Sequence, residues 1–211
     1  MNAEVMHTQY ERARGVFGRL RSILAADDVL RQEFEAALDM LRTSYDAAIY
    51  ENRFIVGGAI EHLAVALFNG AGLPAQHVGR GDMRVDMTVR DPQDGAHAGF
   101  SIKASFSSRS VRLINVLGNG SPKWTEPTLF LFTGIGMVYA DYELLPDATK
   151  RHNDALVLEG GKVTAYVAAN REQIIALRIE QPSQGNIRSS KTASEDVARS
   201  IIRNFTRLSL P

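Results

Sequence analysis

Residues 84–106, RVDMTVRDPQDGAHAGFSIKASF, contain two short runs rich in β-branched and aromatic side chains, at residues 84–90 and 99–106. Such runs favour β-strands. The DPQDG segment between them has the residue types of a turn, so the two strands are expected to pair. Asp86 and Lys103 have 16 residues between them. In two neighbouring strands, this separation lets both side chains emerge at the same end of the sheet.

Apolar residues at helical spacing precede this segment. Residues 7–24 predict an amphipathic helix, because Phe17, Leu20 and Leu24 recur at intervals of three and four. A second helix is expected to start after a capping aspartate, Asp27 or Asp28, and to run to about residue 50. A third helix is predicted at residues 58–69, and it is expected to end at the glycines that follow.

Strands and helices are also expected in the rest of the chain. Glycines predict one hairpin between residues 128–133 and 137–140, and another between residues 156–158 and 163–167. The other predicted elements are a strand at residues 75–78, a helix at 171–179, a linker at 182–190, and a last helix from Thr192, in capping-box spacing with Glu195, to about Leu208.

Together these elements predict one α/β domain, with a central mixed β-sheet of about five or six strands flanked by helices. A hydrophobic content of 45% is enough for a well-filled core. Within the single domain, residues 1–50 are expected to form N-terminal helices and residues 51–180 the α/β core. Residues 181–211 are expected to supply a linker and the C-terminal helix.

Composition excludes several classes of protein. The 24 basic and 24 acidic side chains cancel, so a uniformly cationic nucleic-acid coat is excluded. The absence of cysteine excludes disulfide scaffolds, thiolate zinc sites and thiol nucleophiles. The first residues do not resemble a secretory signal, and the longest nearly apolar stretch, residues 127–140, is too short to span a bilayer. We therefore expect a soluble cytoplasmic protein with no membrane partner.

The pair of strands also carries a chemically useful set of side chains. Ser101 and Lys103 stand two residues apart and so face the same side of a strand, near Asp86 on the neighbouring strand. Hydrolysis of a phosphodiester needs a carboxylate to hold Mg²⁺ against the scissile phosphate. It also needs a cation that positions or deprotonates the attacking water. This segment therefore predicts a phosphodiester-hydrolysing site.

In residues 57–106 the sequence resembles the PD-(D/E)XK nuclease superfamily, which includes type II restriction endonucleases. The resemblance rests on an ordered set: an acid inside a helix, a glycine-rich bend, an aspartate in one strand, and Ser-x-Lys in the next. Glu61 resembles the helical acid of the family, Asp86 its metal-binding aspartate, and Lys103 its lysine. Ser105 follows where many members carry Ser or Thr. Ser101 departs from the family pattern, because Asp or Glu is usual there.

The resemblance implies a restriction-endonuclease-like core and a Mg²⁺-dependent endonuclease that leaves a 5′-phosphate and a 3′-hydroxyl. Asp86 would bind the metal with Glu61 as second carboxylate, and the backbone carbonyl of Ile102 could add a ligand. Lys103 would orient the attacking water, and Ser101 could hold a metal-bound water. Other acids could replace Glu61, namely Glu126 and Asp82.

Charge placement favours a polyanion as substrate. Residues 101–125 contain four basic side chains and no acid, interleaved with hydroxyl and amide groups. We expect double-stranded DNA as the partner and, for a palindromic site, a homodimer with a twofold axis. The candidate DNA-contacting residues are Ser105, Ser107, Ser108, Arg109, Arg112 and Lys123.

Other interpretations remain open from the sequence. Asp86 and Lys103 would also make an ordinary cross-strand ion pair, and Glu61 a solvated helix residue. With Ser101 in place of an acid, the chain would also suit a DNA-binding protein that keeps the nuclease fold without activity. A third hypothesis is an assembly subunit that binds no nucleic acid.

Overall fold

A computed structural model describes residues 3–45, 50–78, 85–106, 111–114, 124–153, 155–180 and 194–211. Within these ranges the chain has helices packed on a central sheet and a second, smaller sheet. The helices are α1 (Ala3–Ala26), α2 (Asp28–Ser44), α3 (Tyr50–Gly70), α4 (Gly160–Ala169) and α5 (Ser194–Ile202). The strands are β1 (Ala75–His77), β2 (Met87–Arg90), β3 (His97–Ser105), β4 (Val111–Ile114), β5 (Thr128–Phe132), β6 (Gly136–Ala140), β7 (Thr149–His152), β8 (Ala155–Leu158) and β9 (Ile174–Ala176).

The central sheet has six strands in the order β1-β2-β3-β5-β6-β9. It is a mixed sheet, because β3 and β5 run parallel whereas the other neighbours run antiparallel. The second sheet has the order β4-β8-β7 and is antiparallel. The predicted class, α/β with a mixed central sheet flanked by helices, is confirmed.

Helices α1, α2, α3 and α5 share a hydrophobic core with one face of the central sheet. Sequence signals explain where α2 begins and where α3 ends. Asp27 caps α2, because its side chain accepts a hydrogen bond from the Leu30 amide at 2.9 Å. After α3, Gly72 adopts a φ of 71°, a left-handed conformation that glycine tolerates.

A second core lies on the other face of the sheet, between β5, β6, the small sheet and α4. Trp124 packs there: its indole NH donates to the Thr128 hydroxyl at 3.0 Å, and its ring meets Phe130 edge to face. Strands β5 and β6 are therefore buried on both faces, as expected of strands at the centre of a layered domain.

The boundary between the second and third helices differs from the prediction. Helix α2 ends at Ser44 and Tyr45 is already extended, whereas α3 begins at Tyr50, eight residues before the expected start. Tyr45 stays buried beyond the end of α2, so the helical spacing of apolar residues continues past that end and did not reveal it. The first turns of α3 form because Ile55 and Val56 enter the core. None of the helices in the described ranges combines the length and apolar character needed to cross a bilayer.

Two predictions in the C-terminal half are wrong. Residues 163–167 are not a strand but part of α4, since Val163, Tyr166 and Val167 bury one face at helical spacing. Strand β8 instead pairs with β7 and β4. The expected helix at residues 171–179 is a short 3₁₀ turn followed by β9. Gly136, at a φ of 118°, lets the β9 backbone approach β6, because a Cβ there would collide with the Ile175 carbonyl.

The last helix is shorter than predicted. It ends at Ile202, so Arg203 and Arg207 lie beyond it and form no stripe with Arg199. The expected capping residue Thr192 lies outside the described residues. After α5 the chain returns to α2, where Glu33 accepts hydrogen bonds from the hydroxyl and the amide of Thr206 and from the amide of Arg207.

A buried carboxylate ties α1 to the end of β6. Asp141 is fully buried and receives two hydrogen bonds of 2.8 Å from the Arg14 guanidinium. The Tyr139 hydroxyl donates a third bond at 2.7 Å. Burial, together with the negative charge of Asp141, raises the pKa of Tyr139. The pair is bidentate and further hydrogen-bonded, which is the geometry that offsets the cost of removing both charges from water.

We predict that Asp141→Asn lowers the free energy of unfolding by about 3 kcal/mol, because Arg14 loses its fully buried counter-ion and keeps only the more exposed Glu143. Denaturant unfolding followed by circular dichroism measures this change. The control is Asp147→Asn, an exposed position with a φ of 53°, which asparagine also tolerates. Equal stability of the two variants would contradict the prediction.

A pH-dependent contribution to stability is predicted at Glu33. Burial raises its pKa, but hydrogen bonds from Arg207 and Thr206 outweigh burial, so the net pKa lies below the ordinary value. The stabilisation is therefore present above the unfolded-state pKa and is lost as pH falls through the folded-state pKa. Glu33→Gln should destabilise the protein by about 1 kcal/mol at pH 7, with the difference from wild type vanishing in acid. Thermal unfolding across pH tests this, and a pH-independent difference would refute it.

Candidate active site

The backbone of Asp86 is held between two strands. Its amide donates to the Phe100 carbonyl at 2.9 Å, and its carbonyl accepts from the Val78 amide at 2.9 Å. Asp86 therefore stands directly before β2 rather than inside the strand that was predicted from residue 84. The next pair along the ladder, Met87 opposite Phe100, fixes which way Asp86 projects.

One carboxylate oxygen of Asp86 gathers three donors from β3. The Ser101 hydroxyl donates at 3.0 Å, the Ile102 amide at 2.6 Å and the Lys103 ammonium at 3.3 Å. The structure thus brings together the aspartate, serine and lysine that the sequence singled out. About a quarter of each charged side chain is exposed, 24% for Asp86 and 25% for Lys103, so the pair is reachable from solvent.

The register of β3 against β5 shows which face of the sheet carries these groups. Lys103 lies opposite Phe130 and Ser105 opposite Phe132, and both phenylalanines belong to the second core. Ile102 alternates with them and enters the first core. Ser101, Lys103 and Ser105 therefore share the face of the sheet that is opposite to helices α1, α2 and α3.

Glu61 projects from α3 toward the same end of the sheet. Burial raises the pKa of Glu61, and the negative charge of Asp86 raises it further. A hydrogen bond from His77 and the charge of Lys103 act in the opposite direction. Glu61 is therefore within electrostatic range of the Asp86–Lys103 pair. Two carboxylates that repel each other are stabilised when a cation sits between them.

His77 is a part of this cluster that the sequence did not predict. Its Nε2 atom lies 2.9 Å from Oε2 of Glu61, and its ring stacks on His62 with centroids 4.2 Å apart. Burial lowers the pKa of His62, and the charge of His77 adds to this effect. The contact joins a helix to a strand, so no local sequence pattern pointed to it.

Some of the other candidate residues lie in the described part of the chain and others lie outside it. For Ile102, the contact with the site is made by its backbone amide. Glu126 accepts hydrogen bonds from its neighbour Thr125, at 2.8 Å from the hydroxyl and 3.2 Å from the amide. Arg112 is exposed on β4, opposite Val157 of β8. The candidates that lie outside the described residues are Asp82, Ser107, Ser108, Arg109 and Lys123.

The donor set is one that suits Mg²⁺. Across the described ranges, no group of three or more His, Asp or Glu side chains is spaced to hold a metal ion. Mg²⁺ usually keeps several waters and binds one or two carboxylates rather than a closed protein cage. Asp86 and Glu61 supply two such carboxylates, and Lys103 adds a cation for a phosphate or a water. The residues present therefore fit a hydrated Mg²⁺ ion.

Comparison of the chain with protein-family models, with curated proteins and with solved structures gives no match.

A substitution at Ser101 tests how the cluster responds to a further carboxylate. Ser101 is 7% exposed and bonds to Asp86, so Ser101→Asp places two carboxylates in contact. We expect a lower melting temperature without divalent cations, because the charges repel and are partly desolvated. We also expect a larger rise in melting temperature on addition of Mg²⁺ than in wild type.

The matched control is Ser105→Asp, on the same strand and the same face but without the Asp86 contact. It should show neither the extra loss nor the extra Mg²⁺-dependent gain. If Mg²⁺ stabilises Ser101→Asp no more than it stabilises Ser105→Asp, the cluster does not attract the cation.

Proposed function

We propose that the chain is a Mg²⁺-dependent DNA endonuclease with a restriction-endonuclease-like core, most closely a type II restriction enzyme of the PD-(D/E)XK superfamily. One observation carries this proposal. A single oxygen of Asp86 meets the Ser101 hydroxyl, the Ile102 amide and the Lys103 ammonium at a solvent-accessible end of the sheet. An ordinary surface ion pair needs only the lysine, whereas this arrangement also fixes the orientation of the carboxylate.

The order of elements supports the proposal. The helical acid is on α3, the aspartate directly precedes β2, and Ser-x-Lys is on β3, which is the succession expected from the resemblance. β2 and β3 are antiparallel neighbours, so their polar groups converge without any long-range rearrangement. Helices α1, α2 and α3 cover one face of the sheet, Ser101 and Lys103 lie on the other face, and Glu61 approaches from α3 at the end of the sheet.

In the proposed reaction, Asp86 and Glu61 hold Mg²⁺, and the Ile102 carbonyl is available as a further oxygen ligand. The bound ion would polarise the scissile phosphate and acidify water. Lys103, whose ammonium lies 3.3 Å from Asp86, would orient the attacking water. Ser101 keeps the Asp86 carboxylate in place by its 3.0 Å hydrogen bond and can also hold a water on the ion.

We place the DNA against the exposed side of the Asp86–Lys103 pair, beside the small sheet that covers β5 and β6 on this face. Arg112, which belongs to the acid-free segment 101–125 and is exposed on β4, would contribute a further cation. Fixed cations and hydroxyls are the groups that contact phosphates and base edges. Cutting both strands of a palindromic site requires two active sites, so the proposed enzyme acts as a homodimer with a twofold axis.

The proposal predicts that wild-type protein cuts mixed-sequence plasmid DNA into discrete fragments when Mg²⁺ is present. Lys103→Ala should lower the cleavage rate about 100-fold or more, because the group that positions the water is lost. The matched control is Lys162→Ala. Lys162 is an exposed lysine on α4, distant in sequence from the candidate site, so this variant should cut at the wild-type rate. Gel electrophoresis of timed digests measures both rates.

The same experiment separates the alternative hypotheses. If the protein binds DNA but does not cut it, and Asp86→Ala leaves binding unchanged, a DNA-binding protein that keeps the fold is the better account. Failure to bind DNA at low salt would favour an assembly subunit, because phosphate contacts strengthen as salt is lowered.

A further inference from the structure

His77 lies beside the proposed site but is not part of the sequence motif that predicted the site. It is the last residue of β1, the edge strand of the central sheet, and it faces α3. Its Nε2 atom is 2.9 Å from Oε2 of Glu61. When Glu61 is ionised its carboxylate can only accept hydrogen bonds, so the imidazole nitrogen is then the donor in this contact.

A second contact fixes the plane of the imidazole ring. His62, the next residue on α3, stacks on His77 with an angle of 28° between the rings. Glu195 and Arg199 of α5, which bond to each other at 2.7 Å, act on the charge of His62 in opposite directions. His77 is therefore held between its own strand and a stacked ring.

The hydrogen bond uses only one of the two oxygens of Glu61. A glutamate on a helix has several rotatable bonds, and ordering them costs free energy when a cation binds. A neighbour that already holds one oxygen removes part of that cost and leaves the other oxygen available. Hydrogen bonds to metal-binding carboxylates act in this way, and their removal typically weakens metal affinity about 10- to 100-fold.

We propose that His77 is a positioning residue that orients the carboxylate of Glu61 for a divalent cation shared with Asp86. This inference rests on the proposed function, since it takes the Glu61–Asp86 pair as the metal site. His77 itself touches neither the cation nor the substrate. Its contribution is to favour the one arrangement of Glu61 in which both carboxylates face the same ion.

The test is calorimetric titration of MgCl₂ into the protein without DNA. His77→Ala should weaken Mg²⁺ binding about 10-fold. His77→Gln should restore most of the affinity, because the glutamine amide nitrogen can reach the place of Nε2 and donate the same hydrogen bond. The matched control is His97→Ala, an exposed histidine at the start of β3, which should bind Mg²⁺ as wild type does.

Kinetics provide an independent readout. With His77→Ala, the Mg²⁺ concentration for half-maximal cleavage should rise about 10-fold, while the rate at saturating Mg²⁺ stays near that of wild type. Thermal unfolding without Mg²⁺ checks that each variant is folded. His77→Gln keeps the test decisive if His77→Ala does not fold.

The possible failures are distinguishable. If Asp86→Asn weakens Mg²⁺ binding but both His77 variants bind as tightly as wild type, the role of His77 is refuted and the proposed function stands. Equal weakening in His77→Ala and His77→Gln would also refute the positioning role, because the hydrogen bond would not be the cause. If wild type binds no Mg²⁺, or if Asp86→Asn binds as wild type does, the proposed metal site and the role of His77 both fail.

Discussion

The antiparallel register of β2 and β3 is the constraint on which the candidate site depends. Met87 lies opposite Phe100, and both side chains are fully buried in the first core. A slip of β2 by one residue would turn Met87 out of this core, so the hydrophobic effect specifies this register strongly. The position of Asp86 beside Ser101 and Lys103 follows from that register, without any separate requirement on the polar residues.

The sequence predicted this segment well because its information is local. Two strands joined by a short turn must pair, and their alternation decides which side chains converge. Elsewhere local patterns were ambiguous. The apolar pattern of residues 163–167 fits a short strand as well as one face of a helix. The helix forms because Val163, Tyr166 and Val167 then all pack in the second core. Strand β9 likewise forms because β6 offers it an open edge at Gly136.

In the candidate site too, local sequence patterns predicted some contacts and not others. The convergence of Asp86, Ser101 and Lys103 was predictable, since all three lie on adjacent strands. The partner of Glu61 was not, because His77 reaches it only after α3 packs across the edge of the sheet. Contacts between a helix and a strand depend on tertiary packing, for which one sequence carries little periodic signal. The net charge of the chain was also uninformative, because the relevant charges act within a few ångströms of one another.

The account therefore depends on one property of the cluster: it must attract a divalent cation. A titration of isotope-labelled protein with MgCl₂, followed by two-dimensional amide NMR, measures this directly. We predict saturable shifts centred on the amides of Asp86, Ser101, Ile102 and Lys103 and on Glu61. Shifts confined to other acidic residues, such as Asp39 or Glu143, or none at all, would contradict the account.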